Sequence, residues 1–148
     1  ESSGVRVCLQ RTGIVLGRGG ALAQMLPAFK LGLGGRLGDG RQWMSWIHLE
    51  DEIGLVLHLL TQQSLKGAFN ATAPAPVTNH EFVKQLGAAL HRPAVLAMPA
   101  PVVRLLIGDM AHLLLTGQQA IPKRTLESGY RFRYPELRPA LDSVLSGR

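Results

Sequence analysis

The central segment of the sequence is Gly38-Asp39-Gly40-Arg41-Gln42-Trp43-Met44-Ser45-Trp46-Ile47-His48-Leu49-Glu50-Asp51, which contains both tryptophans of the chain. Its two glycines predict a tight loop. The bulky residues from Trp43 to Ile47 predict a half-buried strand. The acidic residues that follow suit the positive end of a helix dipole. A helix is therefore expected to begin near Leu49, with a buried apolar stripe of Ile53, Val56, Leu57, Leu59 and Leu60.

The composition indicates one compact domain. The chain has 148 residues, of which 46% are hydrophobic, and a net charge of +6. That charge favours anionic partners. The arginines are scattered, so the sequence does not predict nucleic-acid binding. The apolar stretch Val102 to Leu115 is too short and too charged to span a bilayer, and Cys8 is the only cysteine. We therefore predict a cytoplasmic protein without a disulfide or a membrane contact.

Upstream of the central stretch, the pattern predicts a strand, a turn and a helix. The segment from Val5 to Leu16 is typical of a strand buried on both faces of a parallel sheet. A glycine-rich turn over residues 17–20 leads into a helix over residues 21–31 that contains Pro27, and residues 31–40 are expected to form a mobile loop. The Gly17–Gly20 turn is either a plain connection or a weak anion site.

Downstream, the sequence predicts one further strand and several helices. Gly67 to Ala73 is expected to be a strand, and Thr78 with Glu81 predicts the N-terminus of a helix whose inward residues are Phe82, Val83, Leu86 and Leu90. Further helices are expected over residues 102–115, 122–128 and 136–145. The alternation of strands and helices predicts an α/β fold.

Three groups of residues could carry chemistry. His48, Glu50 and Asp51 lack the partner cluster of a metal site, so a structural role is favoured and no metal is predicted. A triad of Ser45, His48 and Asp51 lacks the strand-to-helix elbow that such nucleophiles require. Trp43 and Trp46 are either core residues or the wall of a substrate pocket.

Four motifs resemble the C-terminal half of an extended short-chain dehydrogenase/reductase, in its epimerase-like branch. The branch includes proteins described as nucleoside-diphosphate-sugar epimerases or cell-division inhibitors. The motifs cover nearly the whole chain in the expected order, and they are Arg11-Thr12-Gly13-Ile14-Val15-Leu16-Gly17, Trp46-Ile47-His48-Leu49-x-Asp51, Asn70-x-Thr72-x-Pro74 and Pro122-Lys123-Arg124-x-Leu126-x-x-Gly129-Tyr130-x-Phe132-x-Tyr134-Pro135.

The resemblance implies the C-terminal part of a Rossmann-type parallel sheet and a mostly helical substrate-binding lobe. Residues 1–20 would be a late strand of that sheet with its turn, and residues 21–148 the lobe, whose last roughly 50 residues are particular to this branch. In the family, the other half carries the dinucleotide fingerprint and a Tyr-x-x-x-Lys catalytic pair. The chain is expected to begin after that pair, so no catalytic residue is assigned here.

The resemblance also implies the site residues. Arg11, Thr12 and Gly13 would lie near the nicotinamide of NADP or NAD, which binds only with the other half. The loop from Gly38 to Trp46 would close over the substrate, and the candidate substrate-binding residues are Arg41, Trp43, Met44, Trp46 and Arg124. Sugar-nucleotide epimerases usually have Asn at Ile14 and Arg at Met44. The substrate is therefore expected to be less polar than a sugar nucleotide, unless Arg41 or Arg124 replaces the lost cation.

Two functions remain open at this point. The first is the substrate-binding portion of an NAD(P)-dependent epimerase or oxidoreductase that performs hydride transfer at a carbonyl carbon and is inactive alone. The second is a non-enzymatic binding module that recognises an anion or a protein partner. In either case an exposed strand edge would favour a homodimer or another partner that covers it.

Overall fold

The computed structural model describes residues 4–99, 101 and 116–147. The strands are β1 (Cys8–Thr12), β2 (Ile14–Leu16), β3 (Gly35–Leu37), β4 (Trp43–Met44), β5 (Trp46–His48), β6 (Gly67–Ala71), β7 (Val77–Thr78) and β8 (Leu96–Met98). The helices are α1 (Gly20–Lys30), α2 (Leu49–Thr61), α3 (Asn79–Ala89), α4 (Lys123–Glu127) and α5 (Leu137–Ser146). The helix predicted over residues 102–115 lies outside the described residues.

The sheet consists of short pairs, three of which are parallel. β1 pairs with β6, β2 with β5 and β3 with β8 in parallel, whereas β4 pairs with β7 antiparallel. The prediction of a single strand from Val5 to Leu16 was wrong, because the chain changes its partner strand at Gly13. The prediction of full burial was also wrong, since Leu16 is the one fully buried residue in these two strands.

Two more predictions about the central stretch need correction. The predicted mobile loop over residues 31–40 contains β3, which is paired with β8. The predicted strand from Trp43 to Ile47 is divided at Ser45, because its two parts pair with different partners. Each part satisfies its main-chain groups with a different neighbour, so the segment links two pairs of strands.

The predicted stripe on α2 was also largely wrong. Leu59 is buried as predicted, but Ile53, Val56, Leu57 and Leu60 are 40–61% exposed. Asp51 and Leu55, which are almost fully buried, face the sheet together with Leu59. The three residues recur every four positions, which places them on one side of the helix. The other apolar residues of α2 face outward.

The predicted start of α3 is confirmed, and two cores surround the sheet pairs. The Thr78 hydroxyl oxygen accepts from the Glu81 amide at 3.3 Å, and Phe82, Val83 and Leu86 are buried. One core joins α1, α3 and α5 around Trp46, and the other joins α2 and β6 around Ile47 and Phe69. In the described part of the chain, no helix is long and apolar enough to cross a membrane.

Candidate functional site

A polar cleft of about 430 Å³ lies beyond the carboxyl ends of β1 and β6. In open α/β sheets, ligands bind at this end of the strands. The predicted cofactor residues Arg11, Thr12 and Gly13 line the cleft together with Ser45, Asn70, Thr72, Gln118, Gln119, Ala120 and Ile121. The structure therefore brings the three residues predicted from the first motif into one site.

Gly13 allows the segment around Ser45 to lie close to the ends of β1 and β6. Its amide donates to Ala71 O at 3.0 Å, and the next amide, that of Ile14, donates to Ser45 O at 2.8 Å. A Cβ at Gly13 would lie 2.5 Å from Ser45 O, which is closer than a side chain tolerates. The absence of a side chain thus lets the β5 segment approach where β1 and β6 end, and the cleft begins at this point.

Residues Gln118–Ile121, here called the strap, run across the cleft. The Ser45 hydroxyl donates to Gln118 O at 2.7 Å and accepts from the Ala120 amide at 2.9 Å. The Thr72 hydroxyl donates to Ala120 O at 3.1 Å, and the Asn70 amide donates to Ile121 O at 3.0 Å. Side chains from the ends of β6 and β5 therefore hold the main chain of the strap.

Three polar side chains in the cleft remain available to a ligand. The Arg11 guanidinium and the Gln118 and Gln119 amides have no hydrogen-bond partner within the described ranges, and all three residues are exposed. Together they offer one positive charge, further donors and two amide acceptors. The cleft can therefore bind an uncharged polar group or a single anionic group.

The predicted substrate residues do not gather at this cleft. Trp46 is fully buried, and its indole nitrogen donates to Ala75 O at 3.0 Å. Met44 is 8% exposed, and its sulfur accepts from the Asn79 amide at 3.3 Å. Trp43 is half-buried in β4. These three residues lie beneath the surface or beside the strap rather than among the lining residues.

The two predicted cations lie elsewhere. Arg124 donates to Ala68 O at 2.8 Å and to Lys66 O at 2.9 Å, and its guanidinium lies 4.7 Å from the centre of the Phe69 ring. These contacts occupy Arg124 at the edge of β6. Arg41 lines a different cleft, which also contains Arg36 and His80.

Sequence reasoning missed five polar residues of the site: Ser45, Asn70, Thr72, Gln118 and Gln119. Asn70 and Thr72 were visible as a motif with a spacing of two, which places both side chains on one side of a strand. Nothing in the local pattern links Ser45 to the strap, because residues 45 and 118 are far apart in sequence and meet only through the fold.

The predicted structural role of Asp51 is supported by its contacts. Its carboxylate accepts from the Arg133 amide at 2.7 Å, the Tyr134 amide at 2.9 Å and the Tyr130 hydroxyl at 3.3 Å. These bonds, here called the Asp51 clasp, join the second motif to the fourth. Burial, followed by the nearby Asp51 charge, raises the pKa of Tyr130.

His48 also has a structural setting. Its Nδ1 accepts from the Glu50 amide at 3.1 Å, and its ring lies 4.0 Å from that of Tyr134. Burial lowers the pKa of His48, against the opposing effect of Glu50 and Asp51. Ser45 contacts the strap, so the three residues do not form a triad. Within residues 4–99, 101 and 116–147, no three His, Cys, Asp or Glu residues could hold a metal ion together.

Comparison with known proteins supports the resemblance seen in the motifs. Residues 98–144 match the family described as "Domain of unknown function (DUF1731)". The mouse epimerase family protein SDR39U1 is 48% identical over 143 residues, which are 95% of this chain and 49% of the mouse protein.

Solved structures give the same result. The crystal structure of human epimerase family protein SDR39U1 (isoform 2) with NADPH matches with a TM-score of 0.93 and 43% identity, over 97% of this chain and 50% of the human one. A nucleoside-diphosphate sugar epimerase from Corynebacterium glutamicum matches with a TM-score of 0.72 and 31% identity, over 97% of this chain and 27% of that one.

These matches confirm the predicted resemblance to epimerase-like proteins and the α/β fold class. The chain spans about half the length of the mouse and human relatives.

Proposed function

We propose that this chain is the substrate-binding portion of an NADPH-dependent epimerase or oxidoreductase of the extended short-chain dehydrogenase/reductase type, and that it acts only when joined to a cofactor-binding half. The similarity to a human protein whose structure contains NADPH supports the choice of cofactor. The observation that carries the proposal is the outward surface of β1 and α2, here called the outer face.

The outer face is apolar although it is exposed. On α2 it includes Ile53, Leu57 and Leu60, and on the β1 side it includes Val7 and Leu9 at 44% and 58% exposure. A groove of about 330 Å³ lies between the two elements, lined by Arg6, Val7, Cys8, Gln10, Val56, Leu59 and Leu60. Several strongly exposed apolar side chains on two neighbouring elements favour an interface with another protein or domain.

The edge of β1 supports the same conclusion. Gly13 donates to β6, and Val7 O accepts from Gly67 of β6 at 2.9 Å. Because main-chain bonding alternates along a strand, the main-chain groups of Cys8, Gln10 and Thr12 face away from β6. Within the part of the chain that the structure describes, β1 has no second neighbouring strand. We infer that a strand of the cofactor-binding half pairs with this edge.

The polar cleft is the site that we assign to the reacting ends of cofactor and substrate. The chemistry that a bound nicotinamide supplies is hydride transfer. Free donors on Arg11 and on Gln118 or Gln119 suit the carboxamide of a nicotinamide and the oxygen of a carbonyl substrate. Thr12 and Gly13 would form the base of the site. Trp43, Met44 and Trp46 would support it from beneath, and Arg41 would contact a more distant part of the substrate.

The proposed division of the chain follows from this arrangement. Residues 1–20 would complete the sheet of the cofactor-binding half, and residues 21–148 would form the substrate-binding lobe, from which β5 and β6 return to the sheet. Arg124 would fix the edge of β6. No catalytic residue is assigned within the chain, and the proposed compartment is the cytoplasm.

A titration with NADPH tests this function. The chain alone is compared with a chimera in which it is joined to the part of the mouse relative that it does not match. Energy transfer from Trp43 and Trp46 to the reduced nicotinamide reports binding. We expect saturable binding by the chimera and none by the chain.

The same titration distinguishes the proposed function from the alternative, a non-enzymatic binding module. A non-enzymatic module would gain no NADPH affinity in the chimera beyond that of the mouse part alone. Saturable binding of NADPH by the 148-residue chain would contradict the requirement for a second half. A stable homodimer of the chain that buries Leu57 would contradict our assignment of the outer face.

A further inference from the structure

The polar cleft contains a single ionised side chain. Its lining residues include Arg11 but no aspartate, glutamate, histidine or lysine. Among the residues that the structure describes, no carboxylate forms an ion pair with the Arg11 guanidinium, and no other group accepts a hydrogen bond from it. The cleft therefore has a net positive charge. A guanidinium in this setting is suited to bind an anionic group of a ligand.

Glu52, an acidic residue that contacts β1, does not neutralise Arg11. Arg11 is paired with Asn70 of β6, so both side chains lie on the same face of this strand pair. Glu52 instead accepts hydrogen bonds from Gln10 and Thr12, the residues on either side of Arg11. Because successive side chains of a strand point to opposite faces, the carboxylate of Glu52 lies on the other side of β1 from the Arg11 guanidinium.

The neutral polar side chains of the cleft form two groups. Four of them already have partners in the chain, namely those of Thr12, Ser45, Asn70 and Thr72. The side-chain amides of Gln118 and Gln119 are exposed and have no hydrogen-bond partner within the described ranges. Because three of the four bonded side chains hold the main chain of the strap, these two amides extend from a fixed backbone. The cleft thus offers two neutral amides together with one guanidinium.

We propose that the polar cleft binds a substrate in which a carboxylate lies next to the reacting carbonyl carbon, with Arg11 as the ligand of the carboxylate. The reacting carbonyl itself rests on the proposed function. A guanidinium offers two parallel N–H donors that match the two oxygens of a carboxylate. One carboxylate balances one guanidinium. A phosphate ester, with a charge of about −1.5 to −2 at neutral pH, would exceed that balance.

The glutamines and the size of the cleft agree with this substrate class. When Arg11 holds the carboxylate, the amides of Gln118 and Gln119 remain for the carbonyl oxygen and for the carboxamide of a nicotinamide. The volume of about 430 Å³ is sufficient for a small oxo acid beside the nicotinamide ring. Such a substrate has a single negative charge, in agreement with the expectation from Ile14 and Met44 of a substrate less polar than a sugar nucleotide.

The test compares two small probes that differ in one group. Pyruvate has the carboxylate, and pyruvamide has a neutral amide of nearly the same size in its place. Each is titrated into the 148-residue chain and followed through the NMR signals of the Arg11 Nε–H and of the Gln118 and Gln119 side-chain amides. We expect the dissociation constant of pyruvate to be lower by at least about tenfold. Equal dissociation constants, or no saturable shift of these signals, would overturn the proposal.

A pair of arginine variants locates the charge that recognises pyruvate. Arg11→Gln keeps a polar amide but removes the guanidinium, so the ratio of the two dissociation constants should fall to about one. Arg131→Gln removes an exposed arginine outside the cleft and should leave the ratio unchanged. If both variants lowered the ratio equally, the preference would come from the net charge of the chain, and binding of the carboxylate by Arg11 would be contradicted.

A further variant distinguishes the charge from the neutral donors. The double variant Gln118→Ala, Gln119→Ala should raise the dissociation constants of both probes by a similar factor of about three to ten, because it removes donors that both probes use. It should keep the preference for pyruvate. Loss of the preference here, together with its retention in Arg11→Gln, would place the carboxylate at the strap and contradict the role of Arg11.

Inorganic phosphate tests whether the anion that fits Arg11 is a phosphate group, such as one of the cofactor. It is titrated into the same chain and followed through the same signals. We expect weaker binding than that of pyruvate, because a single planar guanidinium balances a single carboxylate. Tighter binding of phosphate than of pyruvate at Arg11 would overturn the choice of a carboxylate.

The chimera distinguishes this inference from the proposed function. With NADPH bound, pyruvate should still shift the Arg11 signal of the chimera. Loss of that shift would mean that the cofactor-binding half or NADPH occupies the guanidinium, and it would overturn the inference. If the chimera does not bind NADPH while the chain still prefers pyruvate to pyruvamide, the proposed function fails and the carboxylate site stands.

Discussion

The two sides of α2 differ in how completely this chain buries them. On the inner side, Leu55 and Leu59 are buried against the sheet, and the Asp51 carboxylate accepts three hydrogen bonds. On the outer side, Ile53 and Leu57 are more than half exposed. Apolar residues on both sides of one helix indicate two layers of contact. The inner layer belongs to this chain, and we assign the outer layer to the cofactor-binding half.

The adjacent carboxylates Asp51 and Glu52 differ in how many of their oxygens have hydrogen-bond partners. Both oxygens of Asp51 have hydrogen-bond partners. Glu52 accepts at Oε1 from the Gln10 amide at 2.6 Å and the Thr12 hydroxyl at 3.0 Å, whereas its Oε2 is buried without a partner among the described residues. Burial raises the pKa of Glu52, although the bonds from Thr12 and Gln10 oppose that change.

The largest change in the free energy of unfolding is expected when one of two leucines of α2 is shortened. Leu55→Ala should lower the free energy of unfolding by about 2–5 kcal/mol, because it leaves a cavity in the inner layer. Leu57→Ala should change it by less than about 0.5 kcal/mol in the isolated chain, because that side chain is already in water. Urea unfolding measures both. Equal losses would contradict the distinction between inner and outer sides.

The next effect concerns the Asp51 clasp. Asp51→Ala leaves the amides of Arg133 and Tyr134 without their acceptor, so we expect a loss of about 2–4 kcal/mol. The control is Glu50→Gln, which removes an exposed ion pair with Arg133 and should cost less than about 1 kcal/mol. If Asp51→Ala were as mild as Glu50→Gln, the clasp would not be what joins the two motifs.

The smallest effect concerns Glu52 and pH. Its pKa is higher in the folded chain than its ordinary value of 4.5, so the folded state binds more protons between the two pKa values. Its contribution to stability is therefore present below pH 4.5 and is lost as the pH rises through the folded pKa. Glu52→Gln should flatten this decline, measured by urea unfolding between pH 4 and 8. Glu127→Gln, at an exposed position of α4, is the control, and an equal change there would exclude a specific role for Glu52.

Some of the fold could be predicted because local chemistry determines it. The cap at Thr78 and the start of α2 after His48 follow from short-range hydrogen bonds and charges, and both are confirmed. The predicted stripe on α2 was wrong except at Leu59, for a physical reason. Apolar residues lie on both sides of this helix, and their spacing does not reveal which side this chain covers itself.

The candidate site was also predictable only in part from the sequence. Arg11, Thr12 and Gly13 were assigned to the cofactor from the resemblance of the first motif. They line the polar cleft, and their contact with a cofactor stays a prediction. The strap was not predicted, because Ser45 and Thr72 recognise its main chain, which carries no sequence pattern. The cleft beside Arg41 could be predicted only in part, since Arg41 was named from the sequence but its neighbours Arg36 and His80 meet it only through the fold.

Amide hydrogen exchange along β1 shows whether the free edge of this strand pairs with a cofactor-binding half. In the isolated chain, the amides of Leu9 and Arg11 should exchange slowly because they bond to β6, while those of Gln10 and Thr12, which face the open edge, should exchange fast. In the chimera with the rest of the mouse relative, all four should be slow. Slow exchange at Gln10 and Thr12 in the isolated chain, or fast exchange there in the chimera, would contradict the pairing of this edge with a cofactor-binding half.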